Sequence, residues 1–195
     1  MLLALSTFLL ILSVLILRHW RVPLRHRWRR RQARTMADQL RGRDRHQPPQ
    51  LLYARLRAMD PLAFEELLLE SFERRGLRVK RNRRYTGDGG IDGEVMIDGA
   101  TWLIQAKRYA SAIRPEHVVA FDTLCRTHGC HGLFIHTGRT GPQSRAAADN
   151  FGMVEIISGR TLHALLTGGP VSVLDDASGS TDFSDTSRSA TGRAG

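Results

Sequence analysis

Three side chains in the stretch 87–107 carry chemistry that the local pattern brings together: the carboxylate of Asp92, the amide of Gln105 and the amine of Lys107. Asp98-Gly99 sits between alternating apolar runs, the signature of a two-residue hairpin turn whose positions both need φ > 0. With Ile97 opposite Ala100, Asp92 falls across from Gln105, and Lys107 follows on the same face because strand side chains alternate. Ile91, Val95, Ile97, Trp102 and Ile104 occupy the other face, which reads as a core face. A carboxylate and an amide oxygen are hard ligands suited to Mg²⁺ or Mn²⁺, ions that leave positions open for water and substrate phosphate. A lysine beside them can orient or deprotonate an attacking water, or stabilise charge on phosphate in the transition state. Together they describe phosphodiester hydrolysis. The competing reading is a hairpin whose exposed face is merely polar.

A helix must bring any further acid to this hairpin. Asp60-Pro61 opens one, with Asp as N-cap and Pro where a missing N–H costs nothing, and Gly76 closes it. Within it Glu66, Glu70 and Glu73 recur at helical spacing and read as a solvated stripe. Glu65 shares the face of Leu62, Leu68, Leu69 and Phe72, where a carboxylate is costly unless it is paired or holds a metal, so it is the helical acid assigned to the site, the competing reading being a tolerated boundary position. A short strand over 77–81 follows. Arg81, Arg83 and Arg84, together with Arg74 and Arg75, form a basic cluster beside the site, read either as phosphate contacts or as a solvated charge run. Beyond Lys107 the pattern alternates: helix over 114–126, strand over 132–137, helix over 144–150, strand over 153–157 and a last amphipathic turn over 161–166. An antiparallel hairpin followed by strand-helix alternation predicts an α/β fold, a mixed sheet flanked by helices.

The net charge of +10 points to an anionic partner, yet residues 18–46 alone hold eleven Arg against two Asp. The basicity therefore belongs mostly to one segment and is no footprint of the folded domain. Ahead of it, residues 2–17 form an uncharged run of about 24 Å as helix, which reaches bilayer thickness when extended through Trp20. The arginines follow rather than precede the run, so the reading is one transmembrane helix over 1–20, N-terminus out and the remainder cytoplasmic, rather than a cleaved signal. Residues 21–46 read as an Arg-rich juxtamembrane arm, lying on anionic headgroups, touching DNA phosphates or serving only as a positive-inside signal and spacer; 47–168 read as the folded domain and the Gly/Ser/Thr/Asp-rich 169–195 as a disordered tail. Cys125 and Cys130 lack metal or disulfide spacing and read as reduced thiols.

Phe64-Glu65, then Gly87-Asp88-Gly89-Gly90-Ile91-Asp92, then Gln105-Ala106-Lys107-Arg108-Tyr109, with Ile156-Ile157-Ser158-Gly159 before the final helix, closely resemble the Mrr-type catalytic domain of the restriction-endonuclease-like PD-(D/E)xK superfamily. The resemblance covers roughly 59–166. It implies a restriction-endonuclease-like fold and Mg²⁺- or Mn²⁺-dependent cleavage of DNA, with Asp92 as metal carboxylate, Gln105 where most members carry an acid, Lys107 as catalytic lysine and Glu65 as accessory acid. Arg108, inside the matched motif, joins Arg81, Arg83 and Arg84 as DNA contacts. Asp88 stays outside the core set, at the loop mouth. Gln in place of an acid removes one negative charge from the metal, which weakens Mg²⁺ binding and increases reliance on substrate phosphate. It also leaves open a catalytically silent, membrane-bound DNA-binding or scaffold module. Cutting both strands would need two sites, which a transient homodimer would supply.

Overall fold

The computed structural model describes residues 13, 27–82 and 90–178. In chain order the elements are a helix over 27–41 (α1), α2 (Pro49–Ala58), α3 (Pro61–Glu73), β1 (Val79–Arg81), β2 (Gly93–Ile97), β3 (Ala100–Lys107), α4 (Pro115–His128), β4 (His131–His136), α5 (Pro142–Phe151), β5 (Val154–Ile157), α6 (Gly159–Thr167) and α7 (Ser172–Ser178). The five strands form one sheet in the order β1-β2-β3-β4-β5. The first three run antiparallel, and β3, β4 and β5 are parallel, joined by α4 and α5 as crossovers. The mixed α/β sheet expected of a restriction-endonuclease-like domain is the one observed.

The turn works as its residues require. Asp98 and Gly99 both take positive φ, 51° and 76°, and Ile97 pairs with Ala100. Both faces of the sheet are covered, however, so neither is a free polar face. On one side Val95, Ile97, Ile104, Leu133 and Ile135 pack under α1, α2, α3 and α6. On the other, Leu103, Phe134 and Val154 pack under α4 and α5. β4 is buried on both faces, which is why its Leu-Phe-Ile core reads as a continuous apolar run.

The register holds to Gly93–Ile104 and then slips. Asp92 N–H donates to the Ile104 carbonyl at 2.7 Å, so Asp92 and Gly93 together oppose Ile104 instead of Asp92 facing Gln105. Two residues against one is a β-bulge, and it reverses the alternation upstream of it. Ile91 accordingly packs with Leu103 and Phe134 rather than with Val95, opposite to the face expected for it.

Of the segment expected to be a solvated arm, residues 27–41 are instead part of the domain as α1. Ala33, Met36, Ala37 and Leu40 recur at i, i+3, i+4 and i+7 and are buried in the core under α3. α2, absent from the expected elements, adds Leu52 and Leu56. At the other end Val171 and Leu174 are buried beside them, so the domain continues past the expected boundary at 168 through α7. The acids expected to form a solvated stripe are counterions for α1 and β1: Glu66, only 4% exposed, meets Arg81 at 2.9 Å and Arg30 at 3.7 Å, and Glu70 meets Arg74 at 3.0 Å and Arg34 at 3.4 Å. Arg41 donates to the Ser71 and Arg74 carbonyls, and Arg29 pairs with Asp60. Arg29, Arg30 and Arg34 thus neutralise acids of α3 and its cap, and Arg41 ties down carbonyls at its C-terminal end. The stretch 2–17, apart from Ser13, lies outside the described residues, as does the tail beyond 178. Among the described residues no helix is long and apolar enough to cross a membrane.

Candidate active site

Glu65 reaches the hairpin because α3 lies unusually close to the start of β2. Asp60 caps that helix as its sequence predicts, accepting from the N–H groups of Leu62 and Ala63 at 3.0 and 3.1 Å. One turn beyond Glu65 on the same helix face, Leu69 presses on Gly93, where a Cβ would lie 2.8 Å from the leucine Cδ2. Any larger residue at 93 would push α3 away. The glycine next to Asp92 therefore sets Glu65 against that carboxylate.

The electrostatics record the meeting of the three groups. Burial first, and then the charge of Asp92, push the Glu65 carboxyl up to about 8, while Lys107 pulls it down. Asp92 is raised by burial as well, opposed by the hydrogen bond it accepts from the Ala106 N–H and by Lys107. That hydrogen bond, 2.7 Å to Oδ2, pins the carboxylate against β3 and leaves Oδ1 without a partner among the described residues. The bulge is what turns Asp92 far enough to reach the Ala106 N–H, which strict alternation would have denied it.

Gln105 does something the sequence did not suggest. Its Nε2 donates to the Gly90 carbonyl at 2.8 Å. Only the amide nitrogen can face a carbonyl oxygen, so the Gln105 oxygen is the end left for other partners. A glutamate here could not donate and would set its charge against the Gly90 oxygen. The Gln-for-acid exchange thus has a structural reason, a tie between β3 and the site loop. Gly90 is at φ 95°, and a Cβ on it would lie 2.6 Å from Gln105 Nε2. Asn82 holds the same loop from β1 by donating to the Ile91 carbonyl.

Of the four arginines expected on DNA, two serve the fold. Arg81 makes a bidentate pair with Glu73, 2.5 and 2.6 Å, in addition to its contact with Glu66. Arg108 donates to the Arg57 carbonyl at 2.7 Å and to that of Met59, fastening the end of β3 to the α2–α3 junction. That correction has a simple cause: a carboxylate pair or a helix-end carbonyl satisfies a guanidinium as well as phosphate does. Arg83, Arg84 and Asp88 lie outside the described residues.

Among the described residues no group of three or more His, Cys, Asp and Glu is placed to hold a metal. Two close carboxylates fit a divalent ion of the magnesium type, which takes one or two protein carboxylates and fills its remaining positions with water and phosphate. Glu65 is raised by burial and by the charge of Asp92, whereas Asp92 is raised by burial; a divalent cation beside them would favour the charged form of both.

A family model described as restriction endonuclease, Mrr_cat, matches residues 56–166. The chain is 31% identical over 117 residues to the type IV methyl-directed restriction enzyme EcoKMrr of Escherichia coli (strain K12). That match takes in 55% of this chain and 38% of the enzyme, so the chain spans well under half of that relative. Among solved structures, Pyrococcus furiosus SfsA in complex with Ca²⁺ aligns at 13% identity with a TM-score of 0.33, over 54% of this chain and 56% of that one.

Proposed function

The chain belongs to the Mrr_cat restriction endonuclease family, and from that membership we propose that it is a divalent-metal-dependent DNA endonuclease whose site is Glu65, Asp92, Gln105 and Lys107. The observation that carries the reading is the convergence of two raised carboxylates and a lysine at one end of the sheet. Asp92, fixed by the Ala106 N–H, offers Oδ1 to Mg²⁺ or Mn²⁺, and Glu65 offers a second carboxylate from α3. Gln105 holds the loop through Gly90 and has its amide oxygen left for the ion. When bound, the ion supplies a Lewis acid that polarises a phosphoryl oxygen and makes its water more acidic. Lys107 stabilises the negative charge that grows on phosphate as water adds and the P–O ester bond breaks. Glu65, ionised once a cation sits beside it, accepts a hydrogen bond from the attacking water and orients it.

The test is relaxation of supercoiled plasmid. The chain nicks DNA with Mg²⁺ or Mn²⁺ and stops with chelator, and Asp92→Ala or Lys107→Ala lowers the rate at least a hundredfold. Equal rates in those variants contradict the assignment. Salt-sensitive DNA retention without cleavage under any divalent ion supports the second reading, a silent DNA-binding module, which the neutral Gln105 favours.

Two further parts belong to the same proposal. The uncharged stretch 2–17 anchors the chain in a membrane with the domain on the cytoplasmic side, supported by the arginines that follow it. Deleting it releases the protein from the membrane pellet to the supernatant. Double-strand cleavage uses a transient homodimer, seen as a rate that rises with the square of protein concentration.

A further inference from the structure

Between α1 and the end of α2 lies a groove of about 550 Å³, bordered by Trp28, Arg31, Gln32 and Thr35 and by Ala58 and Met59. It lies mostly outside the stretch matched to the family, which begins at residue 56. Two observations say what it takes. Trp28 is 57% exposed, a large ring left in water at the lip. Arg29, Arg30 and Arg34 turn toward α3 and its acids, whereas Arg31, on the other side of the helix, has no partner among the described residues.

We propose that this groove binds one nucleotide of a single DNA strand leading to or from the catalytic site, with the base stacked on Trp28 and its phosphate on Arg31. The inference rests on the nuclease reading and extends it. An aromatic face beside a free guanidinium is the arrangement by which single-stranded nucleic acid is held without sequence readout. The location agrees: Arg108, next to Lys107, grips the carbonyls of Arg57 and Met59 at the groove's end, and Asp60 follows as the cap of the helix that carries Glu65. A strand lying in the groove therefore passes close to the site. An anionic bilayer would also attract Trp28 and Arg31, but a flat surface does not enter a concave groove floored by Met36 and Met59.

The experiment measures binding of a fluorescein-labelled twelve-nucleotide thymidine oligomer to the full chain in chelator, where no cleavage occurs, with tryptophan emission read in parallel. Trp28→Ala and Arg31→Gln each weaken single-strand binding at least fivefold, and Trp28→Phe retains most of the affinity while losing most of the oligomer-induced quenching. Equal affinity in the parent and Trp28→Ala overturns the proposal. So does quenching of Trp28 by vesicles of phosphatidylglycerol and phosphatidylcholine but not by the oligomer. Failure of the nuclease reading shows elsewhere, as a parent chain that never nicks plasmid in Mg²⁺.

Discussion

At the scale of single residues, the neutral Gln105 and the glycine facing it work as a pair. Gly90 is held at a φ that a side chain strains, and a Cβ there would strike the Gln105 amide. Gly90→Ala therefore loses the tie between β3 and the site loop, and plasmid nicking falls at least tenfold while the melting temperature moves by only a few degrees; unchanged nicking would mean that the tie is idle. A second residue gives the molecule a pH dependence away from the acids. His136, at the end of β4 beside Lys107, is fully buried; its Nε2 meets Thr140 Oγ1 at 3.1 Å, and Nδ1 has no partner. Burial lowers its pKa from 6.5 to about 4. The unfolded chain takes up this proton near its ordinary value and the folded chain does not until about pH 4. Stability therefore falls as pH drops through that window, by up to about 3 kcal/mol from this group alone. Urea midpoints at pH 7 and pH 4.5 check it: the His136→Gln variant shows a shallower loss than the parent, and equal losses would remove His136 as the cause.

At the scale of elements, α1 is the main revision. Its Leu40 is fully buried with Ala37 and Met36 against α3, so Leu40→Ala costs about 2–5 kcal/mol. A chain cut to 47–168 discards that stripe together with Val171 and Leu174, and it melts without a cooperative transition where 27–178 shows one, as followed by circular dichroism. A cooperative 47–168 would return α1 to the status of an arm. The same segment shows what could be read beforehand. Asp98-Gly99 and Asp60-Pro61 each dictate a backbone conformation by chemistry confined to two residues, and both elements formed where those pairs stand. In 27–41 the stripe of Ala33, Met36, Ala37 and Leu40 was equally visible, but its apolar residues are few and small, and counting arginines hid their period. The pairing of those arginines with Glu66 and Glu70 could not be read, because it joins segments far apart in sequence. Nor could the bulge, since Ile91 to Val95 alternates like any strand. Gly93 was its single trace, and a glycine in a strand has several possible meanings.

At the scale of the whole molecule, the proposed site forms only when the fold is assembled, since α3 supplies Glu65, the bulge before β2 supplies Asp92, and β3 supplies Lys107. A cation that needs both acids binds the native chain alone, so Mn²⁺ raises the melting temperature of the parent and not of Asp92→Ala. An unchanged parent melting point would separate the acids from any metal. The acid, lysine and glycine types of this proposed set stand out in the sequence because the chemistry demands them, whereas the surrounding helices need only be apolar on one side. The most direct test of the shared site follows from the carboxyl that burial and Asp92 push up to about 8. At pH 7 Glu65 is mostly protonated, and a bound cation must displace that proton. Calorimetric titration of Mn²⁺ into the metal-free protein at pH 7, in two buffers of different ionisation enthalpy, should report release of between about half and one proton, and Glu65→Gln should release less. Binding without proton release, or the same release from Glu65→Gln, would contradict a metal held between Glu65 and Asp92.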